Sequence, residues 1–374
     1  MAEHQPANKN RMSSELSSFA AHLRESIRSD FRAEKFGVLA VELFALQFAH
    51  NAAYRKVCEA RHVTPLTASH WSQIPAVPTA AFKELELTCL SLAERTHVFH
   101  SSGTTELRPS RHFHSVESLA VYEASLWPWL AENLRLVNED WRLLSLTPPS
   151  AQAPHSSLVH MFALAQRNLG AAETAFVGCV GDDGAWYLDF DAALAALTLN
   201  DPRPLLVLGT AFSYVHLLEA ITARKAQLQL PPGSRVLETG GYKGRSRVLP
   251  KGELHALITE RLGVSASHIV CEYGMSELSS QAYDAVNLKS EGQSPKSRRV
   301  FHFPSWARVQ VVSPETGHEV GEGETGLLRV FDLANVFSVL AIQTEDLAVR
   351  CGDGFELLGR AQLAEPRGCS LMAV

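Results

Sequence analysis

The chain has 374 residues, 46% of them apolar and 20% charged, with 34 basic against 40 acidic residues and a formal net charge of −6. That composition excludes a disordered chain, and without a basic excess it argues against nucleic acid as the main partner. The length suits one large domain or two ordinary ones.

The start, MAEHQPANKNRMSSE, is polar and lacks the apolar stretch of a secretory signal, and no run of about 18 apolar residues suggests a membrane span. A cytoplasmic protein is therefore expected. The six cysteines, Cys58, Cys89, Cys179, Cys271, Cys351 and Cys369, are far apart and form no C-x-x-C pair, so they read as free thiols and not as a disulfide frame or zinc site.

Residues 1–13 are expected to be a flexible tail. Ser14 to Arg28 and Phe36 to Arg61 then carry apolar residues at helical spacing. In WSQIPAVPTAAFKELELTC, Pro75 and Pro78 rule out a continuous helix. A glycine-hydroxyl loop follows at 101–105, and Ser115 is placed as the N-cap of the helix VESLAVYEASLWPWLAENL.

The middle of the chain alternates strand and helix. RLLSLT (142–147), LVHMFALAQRNLG and TAFVGCV make one unit; LLVLG (205–209), FSYVHLLEAITARKAQL and RVLETGG (235–241) make another, followed by a helix near 251–263 and HIVCEYG (268–274). Short strand, amphipathic helix, short strand predicts parallel βαβ crossovers, whose ligands collect at the carboxyl ends of the strands. From about 300 the pattern turns to short strands without helices: ARVQVV, TGLLRVFDL, SVLAIQTEDL, LAVR, FELLG. The expected organisation is an α/β body over 14–300, an antiparallel β subdomain over 301–358 packed on it, and a short arm over 359–374.

Four loops carry polar chemistry. In the first, Ser101, Ser102, Gly103, Thr104 and Thr105 offer hydroxyls and backbone N–H groups that can wrap an anion, with Arg108 or Arg111 adding charge; a plain turn uses the same residues. The second, ETGGYKGRSR, pairs Gly240 and Gly241, where a flat ring could lie against backbone, with Lys243 nearby, or forms a solvated basic turn. In the third, EYGMSELSSQAYD, Tyr273 and Gly274 offer a stacking surface, Ser276 a hydroxyl and Glu277 a carboxylate for Mg²⁺; alternatively Ser276 caps a helix with Glu277 in its first turn. In the fourth, Asp346 of QTEDL can accept from two ribose hydroxyls, and Arg360 can brace the same sugar.

In this order, these motifs resemble the adenylate-forming superfamily. The resemblance is closest to the LuxE-type acyl-protein synthetases of bacterial fatty acid reductase complexes. It rests on SSGTT followed by PSRH at 109–112, GGYK at 240–243, EYGMSE at 272–277, QTED at 343–346 and RGCSL at 367–371, and covers nearly the whole chain. Two positions depart from the pattern: Ser276 stands where threonine is usual, and Glu106 where glycine often follows the two threonines.

The resemblance implies an adenylate-forming α/β fold and activation of a carboxylic acid, a long-chain fatty acid in that family, by ATP and Mg²⁺ to an acyl-adenylate. It implies ATP contacts from Ser101, Ser102, Gly103, Thr104, Thr105, Arg111, Gly240, Gly241, Lys243, Tyr273, Gly274, Ser276, Glu277, Asp346 and Arg360, with Glu277 on the metal. Most relatives carry a mobile C-terminal lid that supplies a lysine. With 15 residues after Gly359, no such lid is expected, and Cys369 of RGCSL is the candidate to finish the reaction as a thioester-forming nucleophile. Cys179 and Cys271 lie in apolar strand patterns and are expected to be buried core thiols. His155 and Ser156 of PHSSLVHM are substrate-site candidates, although Ser156 or Ser157 also fits a helix cap. The implied acceptor is an acyl reductase or another acyl-acceptor protein, and oligomerisation is left open. The alternatives are a ligase resembling phenylacetate–CoA ligases, an adenylating enzyme that loads a carrier protein, or a non-catalytic acyl-binding subunit.

Overall fold

The structure is a computed structural model, and it describes residues 6–101, 108–136, 140–171, 173–240, 249–284 and 299–361. The chain opens with helix α1 (Pro6–Arg28), which begins earlier than apolar spacing marks, then α2 (Phe36–His50) and α3 (Ala52–Ala60). The helical spacing over 36–61 resolves into two helices bent by 109°, because Asn51 is extended and its side chain accepts from Tyr54 N at 3.0 Å, capping α3. Strand β1 (Val77–Pro78) and the single turn α4 (Ala81–Glu84) follow, then the hairpin β2 (His97–His100) and β3 (Arg111–His114), which brackets the hydroxyl loop.

Next come α5 (Val116–Leu134), β4 (Arg142–Ser145), α6 (Ser157–Leu169), β5 (Thr174–Phe176), β6 (Gly178–Val180), β7 (Trp186–Leu188), α7 (Phe190–Thr198), β8 (Leu205–Thr210), α8 (Ala211–Ala223), β9 (Arg235–Thr239), α9 (Lys251–Leu262), β10 (Ile269–Tyr273) and β11 (Ala282–Tyr283). Ser115 caps α5 as expected, its side chain accepting from Ser118 N at 3.1 Å. Strands order as β11-β10-β9-β8-β4-β5, parallel except for β11. Alternation along each strand gives the sheet two apolar faces. Val207, Val236 and Ile269 pack with α8 and α9, while Leu208, Leu237 and Val270 pack with α5 and α6. Cys271 is buried as expected, but Cys179 is exposed, because it lies on the two-stranded ribbon β6–β7 outside this sheet.

Strands β12 (Ala307–Val312), β13 (Thr325–Asp332), β14 (Ala341–Cys351) and β15 (Gly354–Arg360) build the second sheet. SVLAIQTEDL and LAVR prove to be one long strand, β14. One edge of β14 receives β1 in parallel at Ile342–Gln343 and β15 in antiparallel from Asp346 onward. This sheet shares its core with the N-terminal helices: Leu23, Leu43, Phe44 and Tyr54 cluster with Leu328, Val330 and Ile342. Gln47 of α2 is buried there, accepting from Leu340 N at 2.8 Å and donating to Asn335 O at 2.8 Å. Among the described residues no single helix is long and apolar enough to cross a membrane.

Candidate active site

The hairpin β2–β3 holds both ends of the hydroxyl loop. Ser101 Oγ accepts from Ser110 N at 3.0 Å, and His100 pairs with Arg111 across the ladder. Ser102, Gly103, Thr104 and Thr105 lie outside the described residues. Of the two candidate arginines, Arg108 is spent at the surface on Glu84, at 3.0 Å. The Arg111 guanidinium stands over the Phe113 ring at 5.7 Å, and its buried Nε has no hydrogen-bond partner among the described residues. A buried, unpaired guanidinium N–H is suited to an anion.

The same hairpin touches the third motif. Ser110 Oγ lies 3.4 Å from Ser276 Oγ, and His112 Nδ1 donates to Ser276 O at 2.9 Å. Burial lowers the His112 imidazole to about 4, so it stays neutral and keeps a fixed donor toward that carbonyl. The alternative of a helix starting at Ser276 does not hold, since residues 275–281 are turns. They are ordered by Asp332, at the end of β13, which accepts from Ser279 N (2.9 Å), Ser280 N (2.8 Å) and Ser280 Oγ (2.7 Å). Ser280 Oγ meets Ser125 Oγ at 2.8 Å, tying the turn to α5. Asp332 is the residue that sequence reading misses: an aspartate ending an apolar strand carries no motif.

Glu277 is 5% exposed. Its Oε2 accepts from Ser276 Oγ at 2.9 Å, and its carbonyl accepts from Asn335 Nδ2 at 3.0 Å. Among the described residues no lysine, arginine or histidine pairs with it, and no group of three or more His, Cys, Asp or Glu side chains is placed to hold a metal. A buried carboxylate without a cationic partner fits a hard cation that takes its other oxygens from phosphate and water, the usual Mg²⁺ arrangement.

At the end of β10 the Tyr273 ring is buried edge-on among Phe301, Phe303 and Phe355, and its hydroxyl donates to Asp346 Oδ2 at 2.8 Å. Burial pushes the Tyr273 phenol well above its ordinary range. Burial also raises the Asp346 carboxyl, an effect opposed by the Tyr273 hydrogen bond and the Arg360 charge. Asp346 and Arg360 are register partners on β14 and β15, with Arg360 Nε 3.9 Å from Asp346 Oδ1 and the arginine otherwise exposed. At the end of β9, Gly240 has φ +71° and open space where a Cβ would stand, a conformation other residues rarely adopt. Gly241 and Lys243 lie outside the described residues, as does Cys369.

His155 and Ser156 flank the hairpin. The His155 ring stacks on His100 at 4.8 Å, and its Nδ1 donates to Val98 O at 3.1 Å. Ser156 caps α6, accepting from Val159 N at 3.3 Å. Burial, then the nearby His155 and Arg111, lower the His100 imidazole. The structure thus gathers Ser101, Ser110, Ser276 and Glu277 at one meeting of hairpin and turn, and joins Tyr273, Asp346 and Arg360 at another, beyond the end of β10. Arg111 lies on the other face of β3 from Ser110 and His112, beside Phe113 and near His100.

Comparison with known proteins gives a consistent picture. The family described as "Acyl-protein synthetase, LuxE" matches residues 17–373. Two curated proteins, each named "Long-chain-fatty-acid--luciferin-component ligase", are 22% identical: that of Vibrio harveyi over 346 residues (88% of this chain, 84% of the other) and that of Aliivibrio fischeri over 350 residues (88% and 85%). Among solved structures, an open conformation of 2-hydroxyisobutyryl-CoA ligase in complex with 2-HIB-AMP and CoA superimposes with TM-score 0.60 at 13% identity, covering 86% of this chain and 74% of that one. An ATP-bound RpMatB-BxBclM chimera gives TM-score 0.50 at 16% identity over 72% of this chain, which spans about half of its length (49%). These likenesses establish an adenylate-forming fold.

Proposed function

Because the chain belongs to the LuxE family of acyl-protein synthetases, we propose that it activates a long-chain fatty acid with ATP and then carries the acyl group on its own Cys369 as a thioester. The observation that carries this reading is the convergence of Ser276, Glu277, Tyr273, Asp346 and Arg360 beyond the carboxyl end of β10, with Ser110 and His112 of the β2–β3 hairpin against Ser276. In open α/β sheets that edge is where ligands bind.

The chemistry asks little covalent work of the protein in the first step. A carboxylate oxygen attacks the α-phosphorus of ATP, the bond to the bridging oxygen breaks, and pyrophosphate leaves. Arg111 and the loop from Ser101 hold the departing phosphates, while Asp346, fixed by Tyr273 and flanked by Arg360, holds the ribose; this is catalysis by positioning and by preset charge. Glu277 would hold Mg²⁺, which when bound would neutralise phosphate charge. In the second step the Cys369 thiolate attacks the activated carbonyl, the carbon–oxygen bond to phosphate breaks, and AMP leaves. The cysteine and its RGCSL setting support this role through sequence resemblance. We place the protein in the cytoplasm, delivering its thioester to an acyl reductase.

Incubation of the full chain with ATP, Mg²⁺ and radiolabelled fatty acid tests the reading. The expected result is pyrophosphate exchange and a hydroxylamine-sensitive label on the protein; Cys369→Ala keeps the exchange and loses the label. Label that survives this substitution overturns the role of Cys369.

A further inference from the structure

Strand register sets Thr239, Glu272 and Tyr283 side by side on β9, β10 and β11. All three face α5 and α6, since Tyr283 packs there with Tyr122 and Phe162, and its hydroxyl donates to Met161 Sδ at 3.9 Å. The opposite face carries Glu238 and Cys271, engaged with His255 and Lys251 of α9: His255 Nε2 is 3.4 Å from Glu238 Oε2, and Lys251 Nζ donates to Cys271 Sγ at 2.6 Å. Glu238 and Cys271 therefore have ionisable partners, whereas Glu272, 7% exposed, forms no salt bridge among the described residues.

Glu272 Oε2 accepts the Thr239 hydroxyl. Its Oε1 reaches back beneath Gly274, so close that a Cβ there would collide with it. The carboxyl thus lies between the Thr239–Gly240 and Tyr273–Gly274 turns, at the edge where the acid is activated in the function proposed above. The ionisable groups around it are Tyr122 of α5 and Tyr283 of β11 on its own face, with Glu238 and Lys251 across the sheet. Burial pushes the Glu272 carboxyl up to about 7, the Thr239 bond opposing and the Glu238 charge adding to the shift. A carboxyl shifted in this direction takes up a proton more readily than a free one.

We propose that Glu272 receives the carboxyl group of the acid substrate, donating its O–H to one carboxylate oxygen and leaving the other free to attack phosphorus. A protonated carboxyl recognises a carboxylate by sharing a proton, whereas an ionised one repels it. The selected class is the free acid, not its amide or ester. The inference rests on the acid-activating function.

Pyrophosphate exchange driven by tetradecanoic acid, measured on the full chain across pH 5.5–9, tests it. Glu272→Ala raises the KM for the acid about tenfold or more and leaves that for ATP within about twofold. Glu272→Gln, which keeps an N–H donor in the same place, restores most of the acid affinity and removes the alkaline decline that the wild type shows above about pH 7. A mere crossbar between β9 and β10 would shift both KM values together and lower the melting temperature. Either that pattern, or an acid KM unmoved in Glu272→Ala, or an alkaline decline retained in Glu272→Gln, overturns the proposal while leaving the acid-activating function in place. Absence of exchange in the wild type with fatty acids of every chain length overturns both.

Discussion

The Tyr273 hydroxyl donates to Asp346 Oδ2 at 2.8 Å, and this one bond links the end of the parallel sheet to the long strand of the second sheet. Asp346 is thereby aimed before any nucleotide arrives. Tyr273→Phe keeps the ring among its phenylalanines but frees the carboxylate. It should lower stability by about 1 kcal/mol and raise the KM for ATP several-fold, with the KM for the acid unchanged. Exchange kinetics at varied ATP and a urea titration check both parts; equal effects on the two substrates would contradict an ATP-side role for Asp346.

Glu277 is predicted to be the protein's ligand for Mg²⁺. Glu277→Ala should abolish pyrophosphate exchange at ordinary Mg²⁺, by on the order of 10³-fold or more. Near-normal turnover would show that the carboxylate is not the metal ligand. Glu277→Gln should do nearly as badly, since it keeps the hydrogen bond to Ser276 but not the charge.

The two arginines near the hydroxyl loop should behave differently although they lie three positions apart in the sequence. Arg111→Ala removes the half-buried guanidinium and should cut exchange by about 10²-fold. Arg108→Ala breaks only an exposed pair with Glu84, worth about 0–1 kcal/mol, and should leave exchange within about twofold. Reversed effects would transfer the phosphate role to Arg108.

Stability should depend on pH through Glu272. Its folded-state value is raised above that of a free carboxyl, so its contribution is fully present below the ordinary carboxylate range. It is lost as pH rises through about 7. Glu272→Gln should therefore flatten the fall in stability between pH 5 and pH 8, by at most about 3 kcal/mol. Parallel urea midpoints for the two proteins at those pH values measure this; identical slopes would mean that the carboxyl titrates normally.

Where a local rule fixes a backbone, the sequence was readable. Ser115 announces α5 because a serine before an apolar periodic run satisfies orphan N–H groups, and the alternating βα units announce the parallel sheet because its central strands are short, mainly apolar and buried on both faces. The site motifs were legible as an ordered set, and the structure sets the hairpin beside Ser276 and Glu277 through Ser110 and His112, and Asp346 beside Arg360, while Arg111 lies on the other face of its strand. What stayed hidden depends on distant partners. Residues 275–281 resemble a capped helix until Asp332 takes their N–H groups. The spacing over 36–61 is helical throughout, and the bend comes from Asn51 trading helix for a cap and for a bond to Ser338 O at 3.2 Å. Cys179 lies in an apolar run, yet that run leaves the sheet for an exposed ribbon.

The shared edge of β14 and the buried Gln47 have a consequence for how the chain is made. Gln47 and the Leu340 amide it receives are 293 positions apart, so a ribosome adding about 5–20 residues per second leaves the N-terminal helices waiting roughly 15–60 s for the strands that complete their core. Over that interval Leu43, Phe44 and their neighbours present apolar surface to the cell. The first helices are therefore expected to need shelter during synthesis, and a slowed or truncated message should yield aggregate and not a partly folded subunit.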